Sequence, residues 1–200
     1  MKKIVLLASG EGSNFSAIVK SGIVISKVIT DNASANVIKR AATANVPCEV
    51  FDRTELEYSN APQRSVGGKS KSSAMFENKI LQAVPEDTDL IVLAGYCSIL
   101  SAHFCKAWAG KIINIHPSIL PAFSGTIHAI KEAWEHGCKI FGVTIHYVTE
   151  ELDAGPIIMQ RCIHPLEGDT LEILTGKVRT VEHYAYPSAI RKILQIPEVK

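Results

Sequence analysis

Residues 89–94 read Asp-Leu-Ile-Val-Leu-Ala, a short run without the polar–apolar alternation of a strand that faces water on one side. A run of this length is a strand rather than a helix, and one apolar on both faces needs a cover on each. That restricts the fold to a sheet held between helices, in practice a parallel sheet built from β-α-β units. The rest of the amino-terminal half agrees. Short apolar runs at 3–8, 26–30, 48–51 and 112–115 alternate with helix-period segments at 14–20, 33–44, 73–83 and 102–108. The expected architecture is α/β: a Rossmann-like, open, mostly parallel sheet flanked by helices.

Beyond Pro117 the pattern shifts. A loop carrying Pro121 and Gly125 leads to a helix expected at 128–135, two longer strands at 140–149 and 157–165, and a long helix over 170–194. The connection EELDAGP is too short for a crossover helix, so the two strands are expected to pair antiparallel. No repeat or linker divides the sequence, and 1–200 is read as a single domain. The stretch 60–73, NAPQRSVGGKSKSS, reads as its most loop-like part.

Composition serves mainly to exclude. Twenty-one Lys+Arg against twenty Asp+Glu leave a net charge of +1, which gives no nucleic-acid footprint. No apolar run approaches the roughly 18 residues that cross a bilayer. The opening MKKIVLLASGEGSN is too short in its apolar part for a signal peptide and is read as the first strand. Cys48, Cys97, Cys105, Cys138 and Cys162 are scattered without a Cys-x-x-Cys pair, so reduced thiols, a cytoplasmic location and no structural zinc are expected. The seven histidines show no tight ligand spacing, and no metal site is expected.

Three stretches carry candidate chemistry. Ser9-Gly10-Glu11-Gly12-Ser13-Asn14 lies between the first strand and first helix, where backbone N–H groups can turn toward an anion. A tight turn with a Ser or Asn cap explains the same residues. In the strand 112–115 and its end, Asn114 and His116 share one face and Ile113 and Ile115 the other. Polar groups in an apolar strand cost free energy unless paired or used, and the carboxyl ends of parallel strands are where such sheets hold ligands. The turn Glu150-Glu151-Leu152-Asp153-Ala154-Gly155-Pro156 holds three carboxylates, ordinarily just solvated. Thr144 and His146 share a face of the strand before it, where a lone histidine is more often structural.

Taken together, KIVLLASGEGSN, DLIVLAGYCSIL, NIHPSILPAFSGTIHAIKEAWEHG, GVTIHYVTEELDAGPII and RTVEHYAYP span the chain in order and resemble the glycinamide ribonucleotide formyltransferases, folate-dependent enzymes of purine synthesis. The resemblance implies the formyltransferase fold, with 1–115 the ribonucleotide-binding part and 116–200 the folate-binding and catalytic part. It implies Asn114, His116 and Asp153 as the catalytic trio. It further implies Gly12, Ser13 and Asn14 as the phosphate loop, Glu182 as the ribose-binding acid and Arg179 as its polar neighbour. On the folate side it implies Cys97, Ser98, Ile99 and Leu100 around the pterin ring, with Asn114 and His146 near the reacting centre and 121–128 as a flap. The implied substrates are glycinamide ribonucleotide and 10-formyltetrahydrofolate, the latter a co-substrate, without metal, nucleic acid or membrane. The implied assembly is a monomer or homodimer.

Two positions depart from the family pattern. Ser98 stands where the family often has arginine, and Ser73 stands near an expected folate-side arginine for which Arg64, Lys69 or Lys71 could substitute. Rival readings are a formyltetrahydrofolate deformylase, which usually carries an additional amino-terminal domain, and a methionyl-tRNA formyltransferase, which usually carries a carboxyl-terminal nucleic-acid-binding domain. A non-catalytic nucleotide- or folate-binding module is the rival from outside the enzymes.

Overall fold

The computed structural model describes residues 2–53, 65–66, 69–71 and 74–197. Its strands are β1 (Ile4–Ala8), β2 (Lys27–Thr30), β3 (Cys48–Val50), β4 (Ser65–Val66), β5 (Lys69–Lys71), β6 (Leu90–Leu93), β7 (Ser98–Ile99), β8 (Ile112–His116), β9 (Phe141–Tyr147) and β10 (Ile157–Ile163). The helices are α1 (Ser13–Lys20), α2 (Val37–Thr43), α3 (Ala74–Ala83), α4 (Ala102–Ala107), α5 (Ala129–Glu135) and α6 (Leu171–Leu194).

Seven strands form the main sheet in the order β10-β9-β8-β6-β1-β2-β3. From β8 to β3 every pairing is parallel, while β9 pairs antiparallel with both β8 and β10. The continuous apolar runs have the expected cause. Along β1, Ile4, Leu6 and Ala8 enter one core while Val5 and Leu7 enter the other. Phe15 and Ile18 of α1 and Tyr186 and Ile190 of α6 fill the first core; Phe76 and Ile80 of α3 and Phe104 of α4 fill the second.

The order of connections creates a crevice. From β1 the chain moves outward to β2 and β3, then returns to the opposite side of β1 with β6 and β8. Crossovers that leave a sheet in opposite directions part at the carboxyl ends of the strands between them, here β1 and β6. Tyr186 ties the neighbouring ends together beneath the crevice. Its buried hydroxyl lies 2.7 Å from the Leu93 carbonyl of β6 and 3.1 Å from the Ile113 carbonyl of β8. Burial raises its pKa far above the ordinary value, so it stays a phenol.

Three expectations need revision. The second helix begins at Val37 rather than 33, because Asn32 turns the chain by accepting the Ser34 N–H at 2.9 Å. Within the expected loop 60–73, β4 and β5 pair antiparallel and β5 pairs parallel with β7, giving a small second sheet. The short run Ser98–Ile99 is a strand of that sheet, which its two-residue length conceals in sequence. Arg64 and Ser73 lie outside the described residues.

Candidate active site

The sequence between β1 and α1 folds as a turn with Gly12, at φ 69°, in the N-cap position. No side chain caps α1, so the alternative of a Ser or Asn cap is not what forms. Glycine is required here twice over. The left-handed backbone disfavours other residues, and a Cβ would lie 2.8 Å from that of Val37 at the start of α2. Ser13 and Asn14 thereby become the first residues of α1, with the uncapped N–H groups of its first turn beside them.

These residues line a cleft together with Arg179 and Glu182 of α6. Cys97, Asn114 and His116 line it too. Asn14 Nδ2 donates to Glu182 Oε2 at 3.2 Å. Burial pushes the Glu182 carboxyl upward, opposed by that hydrogen bond and by the Arg179 charge. Ser9, the first residue of the candidate stretch, braces the cleft. Its N–H donates to Gly95 O at 3.1 Å and its Oγ accepts the Cys97 N–H at 2.8 Å.

A second cleft lies against the first. Its lining mixes apolar residues, Leu93, Ile99, Leu100, Val148 and Leu152, with polar ones. Ser98, His146 and Asp153 also border it. Tyr96 and Asn114 belong to both clefts, so the two meet at the end of β8. Of the four residues 97–100, Cys97 therefore lies in the first cleft and the other three in the second.

Strand register brings the polar groups to that meeting point. Antiparallel pairing sets Asn114 opposite His146 and His116 opposite Thr144. The β9–β10 turn carries Asp153 over them, at φ 55°. Asp153 Oδ2 accepts the Gly125 N–H at 2.8 Å and lies 3.4 Å from His116 Nδ1, while Oδ1 lies 3.7 Å from His146 Nε2. His116, His146 and Asp153 are 2%, 2% and 7% exposed, so these contacts act with little solvent screening. His116 Nε2 is 2.8 Å from the Phe123 carbonyl and, facing a pure acceptor, carries a hydrogen. With Nδ1 facing a carboxylate, the imidazolium form satisfies both contacts at once. Gly155 explains why the turn can sit so close, since a Cβ there would collide with the Tyr147 carbonyl oxygen.

Sequence patterns could not have found Gly125 or Phe123, because both act through backbone atoms. The same holds for Asp31 and Arg53, which are distant in sequence from the site. Ser98 donates to Asp31 Oδ2 at 2.8 Å and accepts from Arg53 Nη1 at 3.1 Å. A guanidinium thus lies beside position 98, supplied from the segment after β3 rather than from position 98 itself. Lys69 and Lys71 belong to β5, whose backbone runs beside Ser98 and Ile99. Among the described residues no group of three or more metal-ligating side chains is arranged to hold an ion.

The chain matches the formyl transferase family model over residues 2–190. It is 38% identical to the phosphoribosylglycinamide formyltransferase of Bacillus subtilis (strain 168), covering 97% of this chain and 95% of that one. The chain belongs to the phosphoribosylglycinamide formyltransferase family. A crystal structure of the phosphoribosylglycinamide formyltransferase from Bacillus halodurans superposes with a TM-score of 0.84 at 37% identity, covering 98% of this chain and 96% of that chain. The chain is also 35% identical to a trifunctional purine biosynthetic protein of Gallus gallus, matching 96% of its own length but 18% of the relative. The fold and nearly the full length seen here are therefore shared with these two phosphoribosylglycinamide formyltransferases.

Proposed function

We propose that the protein transfers the formyl group of 10-formyltetrahydrofolate to the amine of glycinamide ribonucleotide in purine biosynthesis, at the junction where the two clefts share Asn114. That junction is the observation that carries the reading. Formyl transfer between two substrates needs one site for each, with the reacting atoms side by side. The first cleft offers a helix amino terminus, Arg179 and Glu182, fitting a phosphate and a ribose. The second takes the pterin ring against its apolar residues Leu93, Ile99, Leu100, Val148 and Leu152.

In the reaction the amine nitrogen forms a bond to the formyl carbon, whose carbonyl oxygen becomes an oxyanion. Collapse breaks the carbon bond to the folate nitrogen, and the proton lost by the amine goes to that nitrogen. No covalent bond to the protein is needed. Asn114 supplies an amide N–H to the oxyanion while remaining neutral. His116, held as imidazolium by Asp153, supplies positive charge and a proton path. Its Nε2 hydrogen is donated to Phe123 in the present arrangement, so service to the reacting atoms requires that the 121–128 loop give up this contact. No step needs a metal, and the scattered free thiols fit a cytoplasmic enzyme.

The test is turnover of 10-formyltetrahydrofolate, followed as folate release with and without glycinamide ribonucleotide. Release that depends on the ribonucleotide is expected. Release without it would mark a hydrolase, and no release at all a binding module.

A further inference from the structure

His146 is more than a wall of the second cleft. Its Nδ1 lies 2.9 Å from the Tyr147 carbonyl, which can only accept, so Nδ1 carries the hydrogen. With its hydrogen on Nδ1, the neutral ring presents a lone pair at Nε2, which lies 3.3 Å from Asn114 Nδ2. Both contacts are satisfied by one neutral tautomer, in a ring that is 2% exposed and cannot turn freely. The Asp153 carboxylate stands near it, but Oδ1 at 3.7 Å is beyond hydrogen-bond reach of Nε2, and the carboxylate's other oxygen is the one that faces His116, at 3.4 Å.

An asparagine amide is ambiguous by shape, since its oxygen and nitrogen ends have nearly the same size. Only the nitrogen end can stabilise a developing oxyanion; the oxygen end would repel it. The identity of the group at the cleft is therefore decided by what the amide meets behind it. We propose that His146 is the positioning residue for Asn114: its Nε2 accepts one amide N–H and holds the nitrogen end at the second cleft, leaving the other N–H for the formyl oxygen. This rests on Asn114 serving as the oxyanion donor. It also gives a reason for a histidine directly opposite Asn114 in the β8–β9 register.

The experiment is a double-mutant cycle. His146→Leu fills similar volume without an acceptor, and His146→Gln retains an acceptor oxygen without a titrating ring. Each is made in the native chain and in Asn114→Ala, with kcat, both KM values and thermal midpoint recorded. His146→Leu is expected to lower kcat by about 10- to 100-fold, the range for a misplaced catalytic group, with both KM values little changed. His146→Gln should recover part of that loss. In the Asn114→Ala background neither change should lower kcat further. Equal losses in both backgrounds would overturn the proposal, as would a raised KM for the folate with kcat intact, which marks a substrate contact. If Asn114→Ala itself leaves kcat unchanged, the donor role of Asn114 falls, and the role of His146 falls with it. If the leucine variant does not fold, the glutamine variant carries the test: loss of kcat in the native chain that persists undiminished in Asn114→Ala overturns the proposal.

Discussion

Asp153 touches three groups of the site at once. One carboxylate oxygen takes the Gly125 N–H and faces His116, while the other faces His146, all nearly out of water. A buried carboxylate is costly unless paired and hydrogen-bonded, and here Oδ2 has the Gly125 N–H and His116 as partners. Asp153→Asn keeps the shape and removes the charge. It is expected to lower kcat by about 10²-fold, comparable to the loss of one preorganised electrostatic partner, and to change the pH dependence of kcat. Steady-state kinetics across pH checks this, and an unchanged rate and profile would remove Asp153 from the mechanism. The value of Asp153 was not legible from its own neighbourhood, where three carboxylates stand within four residues. Resemblance to a family selected it, and the fold explains why it differs from Glu150 and Glu151: the turn carries it inward and theirs remain exposed.

At the level of elements, β1, β6 and β8 were readable because a strand covered on both faces has little choice of composition. Asn114 and His116 were equally readable as a same-face pair, since period two fixes the side on which each falls. What sequence concealed was pairing between distant short segments, as in β4, β5 and β7. Two or three residues carry no periodicity, so only tertiary contact defines them. The contact between α1 and α6 is another such case, made through Asn14 and Glu182. Burial raises the Glu182 pKa, so the acid binds its proton more tightly folded than unfolded. Its contribution to stability is therefore present in full below the ordinary carboxylate pKa and is lost as pH rises through the raised value. Glu182→Gln carries no charge at any pH. Relative to the native chain, its thermal midpoint is expected to rise as pH goes from about 4.5 to about 8. Melting curves at a series of pH values check this, and a difference that is flat or falls with pH would contradict the assigned cause.

On the scale of the molecule, the reversal of strand order at β1 does the work that no single element could. It opens a crevice at the carboxyl ends, and the antiparallel return of β9 closes one side of it with His146 and Asp153. The amino-terminal half supplies the glycine turn and the start of α1; the later strands and their turn supply His146 and Asp153. Asn114 stands where the two contributions meet, in the walls of both clefts. In the proposed reaction the formyl group crosses at that point from one small molecule to the other. An isotope label follows the carbon itself. The protein is incubated with glycinamide ribonucleotide and 10-formyltetrahydrofolate labelled with carbon-13 in the formyl group, and the products are separated by mass. The label is expected on the ribonucleotide amine, in amounts equal to the tetrahydrofolate released. Label recovered as free formate, with the ribonucleotide unlabelled, would contradict the claim.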